Sequence, residues 1–294
     1  MQVCTACPRT CGTDRKHALG FCRVPDAFQV SRAALHFWEE PCLSGDSGSG
    51  TIFFSGCNLG CVFCQNHRIS RGQAGKIISA ERLSDIFYEL AEQGANNINL
   101  VTPTHYLPAL LPVMRKAKDE GFSLPFVYNC GGYENAEVLK KAEGLIDIYL
   151  PDFKYMSSEL AKTYSHAEDY PEIAKAALAE MVRQQPACAF FENDILQKGV
   201  IVRHMMLPGN LADSKAVISY LHETYGETIF LSIMNQFTPT EALVNFPELN
   251  RKVTEEEYDA LIDYAISIGV EQAFIQEGET AEESFIPDFS NQGV

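Results

Sequence analysis

Three cysteines of this 294-residue chain, Cys57, Cys61 and Cys64, have the spacing C-x3-C-x2-C on a glycine-containing loop. The loop directly follows the apolar run 50–54, whose β-branched and aromatic residues predict a buried strand. Three thiolates in so short a loop can bind three corners of one iron–sulfur cube, whereas an all-cysteine site needs a fourth ligand. No fourth cysteine follows at close range in the sequence. The motif therefore predicts a 4Fe-4S cluster with one iron open to a small molecule.

A structural zinc site is the alternative for these three thiols. Zinc sites usually pair their ligands as C-x2-C, with a second pair at a distance. The cysteines further along the chain, Cys130 and Cys188, stand alone in the sequence. The spacing therefore favours the iron–sulfur cluster over zinc and over three buried thiols.

The position of the three cysteines directly after a strand resembles the radical S-adenosylmethionine (SAM) superfamily. The form Cys61-Val62-Phe63-Cys64-Gln65-Asn66 is similar to the branch that contains pyruvate formate-lyase activating enzymes. This resemblance implies that the amino and carboxylate groups of SAM chelate the open iron. It also implies that an electron splits SAM into methionine and a 5'-deoxyadenosyl radical, so that the cofactors carry the difficult chemistry. The same resemblance places Phe63 against the adenine and includes Asn66 among the cofactor-binding residues.

A second group of cysteines lies near the start of the sequence, with the spacing C-x2-C-x3-C-x10-C: Cys4, Cys7, Cys11 and Cys22. So short a segment cannot bury a hydrophobic core unaided, which predicts that the four thiolates share one metal site. Three close cysteines and a distant fourth suit a second iron–sulfur cluster. Zinc is the alternative, and His17 can compete there as a ligand. We expect residues 1–49 to form this metal module and one strand, and residues 50–294 to form the barrel and a C-terminal tail.

Composition and charge limit the classes of partner. The formal net charge is -16, which repels phosphate backbones and argues against long nucleic acid as a substrate. The sequence contains no run of eighteen apolar residues, so we expect no membrane segment. Ten cysteines without a recognisable secretory signal predict a reducing environment in which thiols bind metals. The expected location is therefore the cytoplasm.

Short strands alternate with helices through the rest of the sequence, which is typical of βαβ units and predicts an α/β fold with a parallel sheet. Six predicted strands cover residues 50–54, 97–101, 124–130, 145–150, 199–204 and 228–234. Right-handed crossovers would wind them into a partial (β/α)6 TIM-like barrel, which is the fold that the resemblance implies for about residues 51–276. One long helical region is expected at 157–185 and a short extra strand at 274–276. The chemistry of such barrels takes place at the C-terminal ends of the strands.

The turn after the second predicted strand is Thr102-Pro103-Thr104. Members of the superfamily usually have Gly-Gly-Glu at this place, which accepts hydrogen bonds from the SAM ammonium. Hydroxyl and carbonyl oxygens of the turn can serve instead, because an ammonium needs only acceptors. The alternative is that the proline simply ends the strand.

Two charged motifs follow later strands. Asp152-Phe153-Lys154 resembles the Asp-x-Lys of activating enzymes, which contacts the methionine and ribose parts of SAM. Arg203, with Leu207-Pro208-Gly209 after it, resembles the Arg-x4-Pro-Gly segment of the same branch and can pair with a carboxylate. Adjacent strand residues face opposite ways, so we expect only one of Arg203 and His204 to point into the barrel.

Other polar residues at strand ends are further candidates. Asn129 and Cys130 lie in a turn that resembles the Asn-Thr-x-Gly-Tyr turn of activating enzymes. Cys130 is our candidate for a catalytic hydrogen-atom donor or covalent partner, and a small buried side chain is the alternative. Asn235-Gln236 can bind ribose or substrate, or can be ordinary loop polarity. Glu39-Glu40 is typical of a solvated strand end, although its position before the first barrel strand can bring one carboxylate near the cluster.

The resemblance implies a radical SAM enzyme that abstracts a hydrogen atom from carbon, and its nominal target is a glycyl radical enzyme. The four-cysteine module is absent from the simplest activating enzymes, so modification or rearrangement of a peptide or small metabolite is the second hypothesis. A third is a non-catalytic iron–sulfur or zinc protein. An electron donor such as flavodoxin or ferredoxin is the expected partner of either enzyme.

Overall fold

The apolar runs of the sequence form the strands of one open sheet. The computed structural model describes residues 3–190, 192–239, 241–276 and 289–294. Within those ranges the strands are β1 Phe28–His36, β2 Ser49–Phe54, β3 Lys76–Ile78, β4 Ile98–Val101, β5 Phe126–Cys130, β6 Ile148–Pro151, β7 Ala189–Phe190, β8 Leu196–Met205, β9 Phe230–Met234 and β10 Ala273–Ile275. Their order in the sheet is β10-β9-β8-β6-β5-β4-β2-β1-β3, and β7 pairs with β8.

The six predicted barrel strands are β2, β4, β5, β6, β8 and β9, and each pairs with the next in parallel. The extra strand β10 also runs parallel to β9, whereas β1 and β3 are antiparallel additions beside β2. The sheet ends at β10 on one side and β3 on the other, so the barrel is not closed. The prediction of an α/β partial barrel is confirmed.

Helices connect the parallel strands and cover one face of the sheet. The α-helices are α1 Pro41–Ser44, α2 His67–Ser70, α3 Ala80–Glu92, α4 Leu107–Asp119, α5 Ala136–Leu139, α6 Ser158–Ser165, α7 Tyr170–Gln184, α8 Leu211–Tyr225 and α9 Glu255–Ser267. Side-chain caps start several of them: the Ser79 and Ser157 hydroxyls accept backbone N–H groups of α3 and α6, and Thr254 forms a capping box with Glu257 at α9. None of the described helices is long and apolar enough to cross a lipid bilayer.

The long helical region expected at 157–185 is two helices, α6 and α7. His166 ends α6 in the left-handed conformation, with a φ of 52°, and Pro171 lies in the first turn of α7. A left-handed residue stops an α-helix, and proline is favoured where the next one begins. Helical periodicity on both sides of the break concealed it in the sequence.

Alternation along the strands separates the two faces of the sheet. Even-numbered residues of β8, such as Val200 and Val202, pack in the large core under the helices, whereas Ile201 belongs to a smaller cluster on the inner face. Cys42 and Leu43 of α1 join this inner cluster, so α1 fills the end of the barrel at which the parallel strands begin. The polar inner residues near the carboxyl ends of the strands therefore remain available to form a site.

The turn after β5 generates a stability prediction. Gly132 has a φ of +78°, and a Cβ there would lie 2.1 Å from the Asp152 carbonyl oxygen, whereas Gly94 has a φ of +90° with nothing within 4 Å. Gly94→Ala should therefore show only the left-handed strain of about 1–2 kcal/mol. Gly132→Ala should add a backbone collision and cost at least about 3 kcal/mol in the free energy of unfolding. Urea unfolding under anaerobic conditions measures both, and equal losses would contradict the packing described for this turn.

Candidate active site

The carboxyl ends of the parallel strands surround a cavity of about 270 Å³. Most of the residues that the sequence nominated line it: Cys57, Cys61, Phe63, Cys64, Asn66, Thr102, Asn129, Cys130, Asp152, Lys154, Arg203 and Gln236. Pro103, Thr104 and Asn235 are not among its lining residues. Residues from five strand ends and one loop are thus brought together, as the barrel geometry requires.

The loop after β2 needs glycine at its first turn. Gly56 has a φ of +85°, and a Cβ there would lie 2.6 Å from the Cys22 carbonyl oxygen. The loop is then held from two sides: Val62 donates its N–H to the Tyr164 carbonyl at 2.9 Å, and the Gln65 amide donates to the Gln236 carbonyl at 2.6 Å. These contacts fix the direction in which the three cysteines face the cavity.

Burial governs the state of the free thiols. Burial raises the pKa of Cys57 to about 12, with smaller contributions from Cys61 and Cys64, and burial also raises the pKa of Cys64. Thiols in such surroundings need a bound cation to become thiolates. Ser165 donates its hydroxyl to the Cys61 sulfur at 2.9 Å, a contact that could not be read from the sequence. Hydrogen bonds to ligating sulfurs are one means by which proteins tune iron–sulfur potentials.

Among the described residues, no three histidine, cysteine, aspartate or glutamate side chains already surround one ion-sized site. A 4Fe-4S cluster requires a different arrangement, since each cysteine binds a different iron and the sulfurs stand apart across the cube. Three partly buried thiols from one loop that line one cavity fit that requirement. The donor set therefore agrees with a cluster that leaves one iron open.

Asp152 lies between two cations beside the cysteines. It accepts hydrogen bonds from Lys154 Nζ at 2.6 Å and from Arg203 Nε at 3.0 Å. Burial alone would raise the pKa of Asp152, but the charges of Lys154 and Arg203 outweigh burial and hold that pKa below its usual value. The three side chains thus form a buried, fully ionised group, and Lys154 also lies within electrostatic reach of Cys61.

Arg203 extends this group across the barrel. Its guanidinium donates to Asn129 Oδ1 at 2.5 Å and to Glu39 Oε2 at 3.4 Å. His204 faces the helices, where its Nδ1 lies 2.8 Å from the Phe153 carbonyl oxygen. Arg203 is therefore the member of the pair that points inward, as strand alternation predicts. It donates to several different acceptors and does not form two parallel hydrogen bonds with one carboxylate.

The glutamate pair before β2 is buried, unlike a solvated strand end. Glu39 accepts from the Asn99 amide at 3.0 Å and from Arg203, and it lines the cavity of the cysteines. Glu40 is 8% exposed, and burial raises the pKa of both carboxyls. The sequence left open whether one of them reaches the site, and the structure brings Glu39 there.

The turn after β4 presents one of its two hydroxyl residues to the cavity. Thr102 lines the cavity in a left-handed conformation, with a φ of 57°. Thr104 is buried and donates its hydroxyl to Glu134 Oε1 at 2.6 Å, so this hydroxyl is already engaged. Pro103 precedes the 3-10 turn Thr104–Tyr106. Acceptors for an ammonium must therefore come from Thr102 and the backbone of this turn.

Cys130 lines the cavity next to the buried carboxyl of Glu134. Tyr128 donates to Glu134 Oε2 at 2.9 Å, and burial raises the pKa of Glu134 to about 7. Burial, and then the charge of Glu134, raise the pKa of Cys130 well above its usual value, so that thiol stays protonated. Its role as a hydrogen-atom donor or covalent partner stays a prediction. Glu134 itself was missed, since nothing in its local sequence distinguishes a buried acid.

The remaining nominated residues lie around the rim. Phe63 is buried with its ring centroid 6.1 Å from that of Phe237, which leaves an apolar wall on the cavity. Asn66 precedes α2, and both Asn66 and Gln236 line the cavity. Asn235 donates its backbone N–H to Gln276 Oε1 at 3.0 Å, away from the cavity.

A larger cavity of about 730 Å³ opens beside the first one, between β10 and the segment that joins β1 to β2. Both cavities share Trp38, Glu39, Arg203, Met234 and Gln236. The larger cavity therefore occupies the gap that the unclosed barrel leaves, and it leads to the charged group beside the cysteines.

The four N-terminal cysteines lie in a segment packed against the cysteine loop. Arg9 donates to the carbonyl oxygens of Asn58 at 2.8 Å and His166 at 2.5 Å, and its guanidinium lies 5.1 Å from the Tyr133 ring centroid. Burial raises the pKa of Cys7 to about 12 and also raises that of Cys22. The described residues show no closed metal-ligand group here, so a second metal site is not shown.

Comparison with known proteins shows similarity in sequence and in fold. A model of the radical SAM superfamily matches residues 51–209, more than half of the chain. Over 273 residues the chain is 29% identical to an uncharacterized protein of Methanocaldococcus jannaschii, covering 89% of this chain and 74% of that one.

Solved structures include Streptococcus suis SuiB bound to S-adenosylmethionine, with a TM-score of 0.52 and 10% identity over 76% of this chain and 49% of that chain. This chain thus spans about half the length of SuiB, and the likeness shows the fold. A domain of pyruvate-formate lyase-activating enzyme from Bacteroides vulgatus has a TM-score of 0.42 and 12% identity, over 58% and 92% of the two chains. Because the superfamily model covers more than half of its length, this chain belongs to the radical SAM superfamily.

Proposed function

We propose that this protein cleaves SAM reductively and uses the resulting 5'-deoxyadenosyl radical to abstract a hydrogen atom from its substrate. The observation that carries the proposal is one cavity lined by three partly buried cysteines and by the ionised group of Asp152, Lys154 and Arg203. A non-catalytic metal protein would have no need of a charged cavity at the strand ends, where barrel enzymes work.

The cluster would be held by Cys57, Cys61 and Cys64. Membership of the radical SAM superfamily implies that SAM binds to the open iron of this cluster. When bound, the cluster supplies the electron that breaks a carbon–sulfur bond of SAM. The protein has three tasks around it: to keep the thiols buried, to donate from Ser165 to the Cys61 sulfur, and to exclude water.

SAM carries an ammonium, a carboxylate, a ribose and an adenine, and the cavity offers a partner for each. Lys154 is the cation nearest the cysteines and would meet the carboxylate. Asp152 and Asn129 would accept from ribose hydroxyls, and the Thr102 turn would accept from the ammonium. Phe63 would pack on the adenine.

For the target we retain two hypotheses. Installation of a glycyl radical in a partner protein is the reaction of the branch that the cysteine motif resembles. The alternative is a peptide or small metabolite, and the open cavity of about 730 Å³ beside the proposed SAM site favours it, because a cavity of this size suits a small ligand. In either case a reduced flavodoxin or ferredoxin would deliver the electron.

The four-cysteine segment would form a second metal centre, either iron–sulfur or zinc. The buried thiols of Cys7 and Cys22 and the contacts of Arg9 with the cysteine loop support this proposal. A metal would make such a short segment rigid, and the segment would in turn support the loop of the SAM site.

Loss of one cluster ligand tests the first part of the proposal. Cys61→Ala should lose most of the cluster iron, and 5'-deoxyadenosine formation should fall by more than the roughly 10–100-fold that loss of an outer-shell partner costs. Cys188→Ala is the matched control, because Cys188 lines neither cavity of the barrel. Iron content and deoxyadenosine yield of anaerobically reconstituted protein with dithionite are the measurements. Full activity in Cys61→Ala would contradict the assignment.

Lys154→Met tests the carboxylate contact. Losing a hydrogen bond between charged groups costs about 1.5–3 kcal/mol, so the KM for SAM should rise about 10- to 150-fold with iron content unchanged. Lys118→Met provides the control, since Lys118 forms a partly buried ion pair with Asp147 at 3.0 Å far from the cavity. Kinetics of SAM cleavage measure both variants. An equal increase of the KM for SAM in both variants would mean that Lys154 affects SAM binding only through the stability of the fold.

The second centre is tested by the double substitution Cys7→Ala and Cys22→Ala. The variant should lose the metal of that site and unfold at a lower temperature, because metal binding contributes to folding. Cys42→Ala serves as control, since Cys42 is equally buried but lies at the other end of the barrel. Metal analysis for iron and zinc, with thermal unfolding, gives the result. Identical metal content in wild type and double variant would refute a metal at these cysteines.

A further inference from the structure

The cavity between β10 and the segment joining β1 to β2 has one polar feature that SAM binding does not use. Glu40 lines this cavity but not the cavity of the cysteines. Its side chain is more than nine-tenths buried, and its Oε2 has no hydrogen-bond partner within the described part of the chain. Ser232 lies within hydrogen-bonding reach of the carboxyl group. A buried carboxylate oxygen without a partner is unfavourable in a finished structure, so this one points to a ligand.

We propose that this cavity binds the substrate of the enzyme through a cationic group, an ammonium or guanidinium, that pairs with Glu40. The inference deepens the proposed function, on which it rests, by assigning the chemical class of the substrate. A bound cation would place an opposite charge in direct contact with Glu40 and would supply hydrogen-bond donors.

The charges around the cavity support a cation over an anion. Asp152 is shared by Lys154 and Arg203, and Arg203 also contacts Glu39. Arg203 acts on Glu40 only at a distance, because its described hydrogen bonds go to Asp152, Glu39 and Asn129. Three acidic side chains, Asp152, Glu39 and Glu40, therefore lie near two cations, Lys154 and Arg203. Among the described residues, Glu40 is the acid of the three that has no cation bonded to it. Burial raises the pKa of Glu40, and a bound cation would reverse that effect.

The walls suit an aliphatic stem behind the charge. Phe37, Trp38 and Phe274 line the cavity, and Phe37 and Trp38 are 51% and 62% exposed. Met234 lines both cavities, so an apolar stem lying along it would extend from Glu40 towards the cysteines. A primary amine or guanidine on a short carbon chain has this shape. Both a free amine and the side chain of a lysine or arginine residue offer that chemistry.

The test uses the only tryptophan of the chain, Trp38, as its reporter. Full-length protein, reconstituted anaerobically and saturated with SAM, is titrated with agmatine and with Nα-acetyl-lysine and Nα-acetyl-arginine methylamides. Nα-acetyl-norleucine methylamide is the neutral probe of similar shape. We expect saturable fluorescence changes with cationic probes and binding at least about tenfold weaker for norleucine. Binding of agmatine alone would indicate a free amine, and binding of the blocked amino acids would indicate a peptide.

Glu40→Gln should weaken binding of the cationic probes by at least about tenfold and leave the binding of the norleucine probe unchanged. Asp46→Asn is the matched control, because Asp46 is an exposed carboxylate at the edge of the same cavity and should change affinity less than twofold. Thermal unfolding checks that both variants fold, and the preference of the wild type for lysine over norleucine is an independent test. No cationic preference, or an equal effect of both substitutions, would overturn the proposal. Deoxyadenosine formation by the wild type with SAM and dithionite, in the absence of any probe, tests the proposed function separately.

Discussion

The buried ion group of Asp152, Lys154 and Arg203 is the interaction on which the site depends. A lone carboxylate would be protonated in this cavity, and a lone lysine or arginine would be driven towards water. Held together at 2.6 and 3.0 Å, all three stay charged next to the cysteines. They join the ends of β6 and β8, and Asn129 and Glu39 extend the group to β5 and to the segment before α1. These side-chain contacts add to the backbone bridge between Asp152 and Arg203 and extend it to parts of the chain that the bridge does not reach.

The unclosed barrel gives the site its second property, which is access from the side. Strands β10 and β3 end the sheet, and α1 fills only the end at which the parallel strands begin. Between these elements the protein keeps a cavity of about 730 Å³ that shares walls with the cavity of the cysteines. In the proposed function, a substrate would approach there while SAM is held at the strand ends. Separate entry of SAM and substrate suits a radical reaction, because the radical must react with a carbon–hydrogen bond of the substrate and not with water.

Much of this could be predicted because the signals were local. The six parallel strands follow from short apolar runs, and the cysteine loop, Asp152, Lys154 and Arg203 follow from motif spacing at strand ends. Other features depend on packing between distant parts of the chain. Thr104 looked like a ligand for SAM, yet its hydroxyl is engaged by Glu134, thirty positions away. Glu39-Glu40 resembled a solvated strand end, yet the pair is buried because α1, which follows it, packs inside the barrel. The helical pattern at 157–185 looked continuous, yet left-handed His166 divides it into two helices.

The central claim is that three cysteines hold a cluster whose fourth iron binds SAM. Crystals grown anaerobically with SAM, measured at the iron and zinc absorption edges, test it most directly. The account predicts iron at Cys57, Cys61 and Cys64, with the SAM amino and carboxylate groups on the remaining iron and Lys154 beside that carboxylate. Zinc at these cysteines, or an iron cluster whose fourth ligand is a protein side chain, would contradict it.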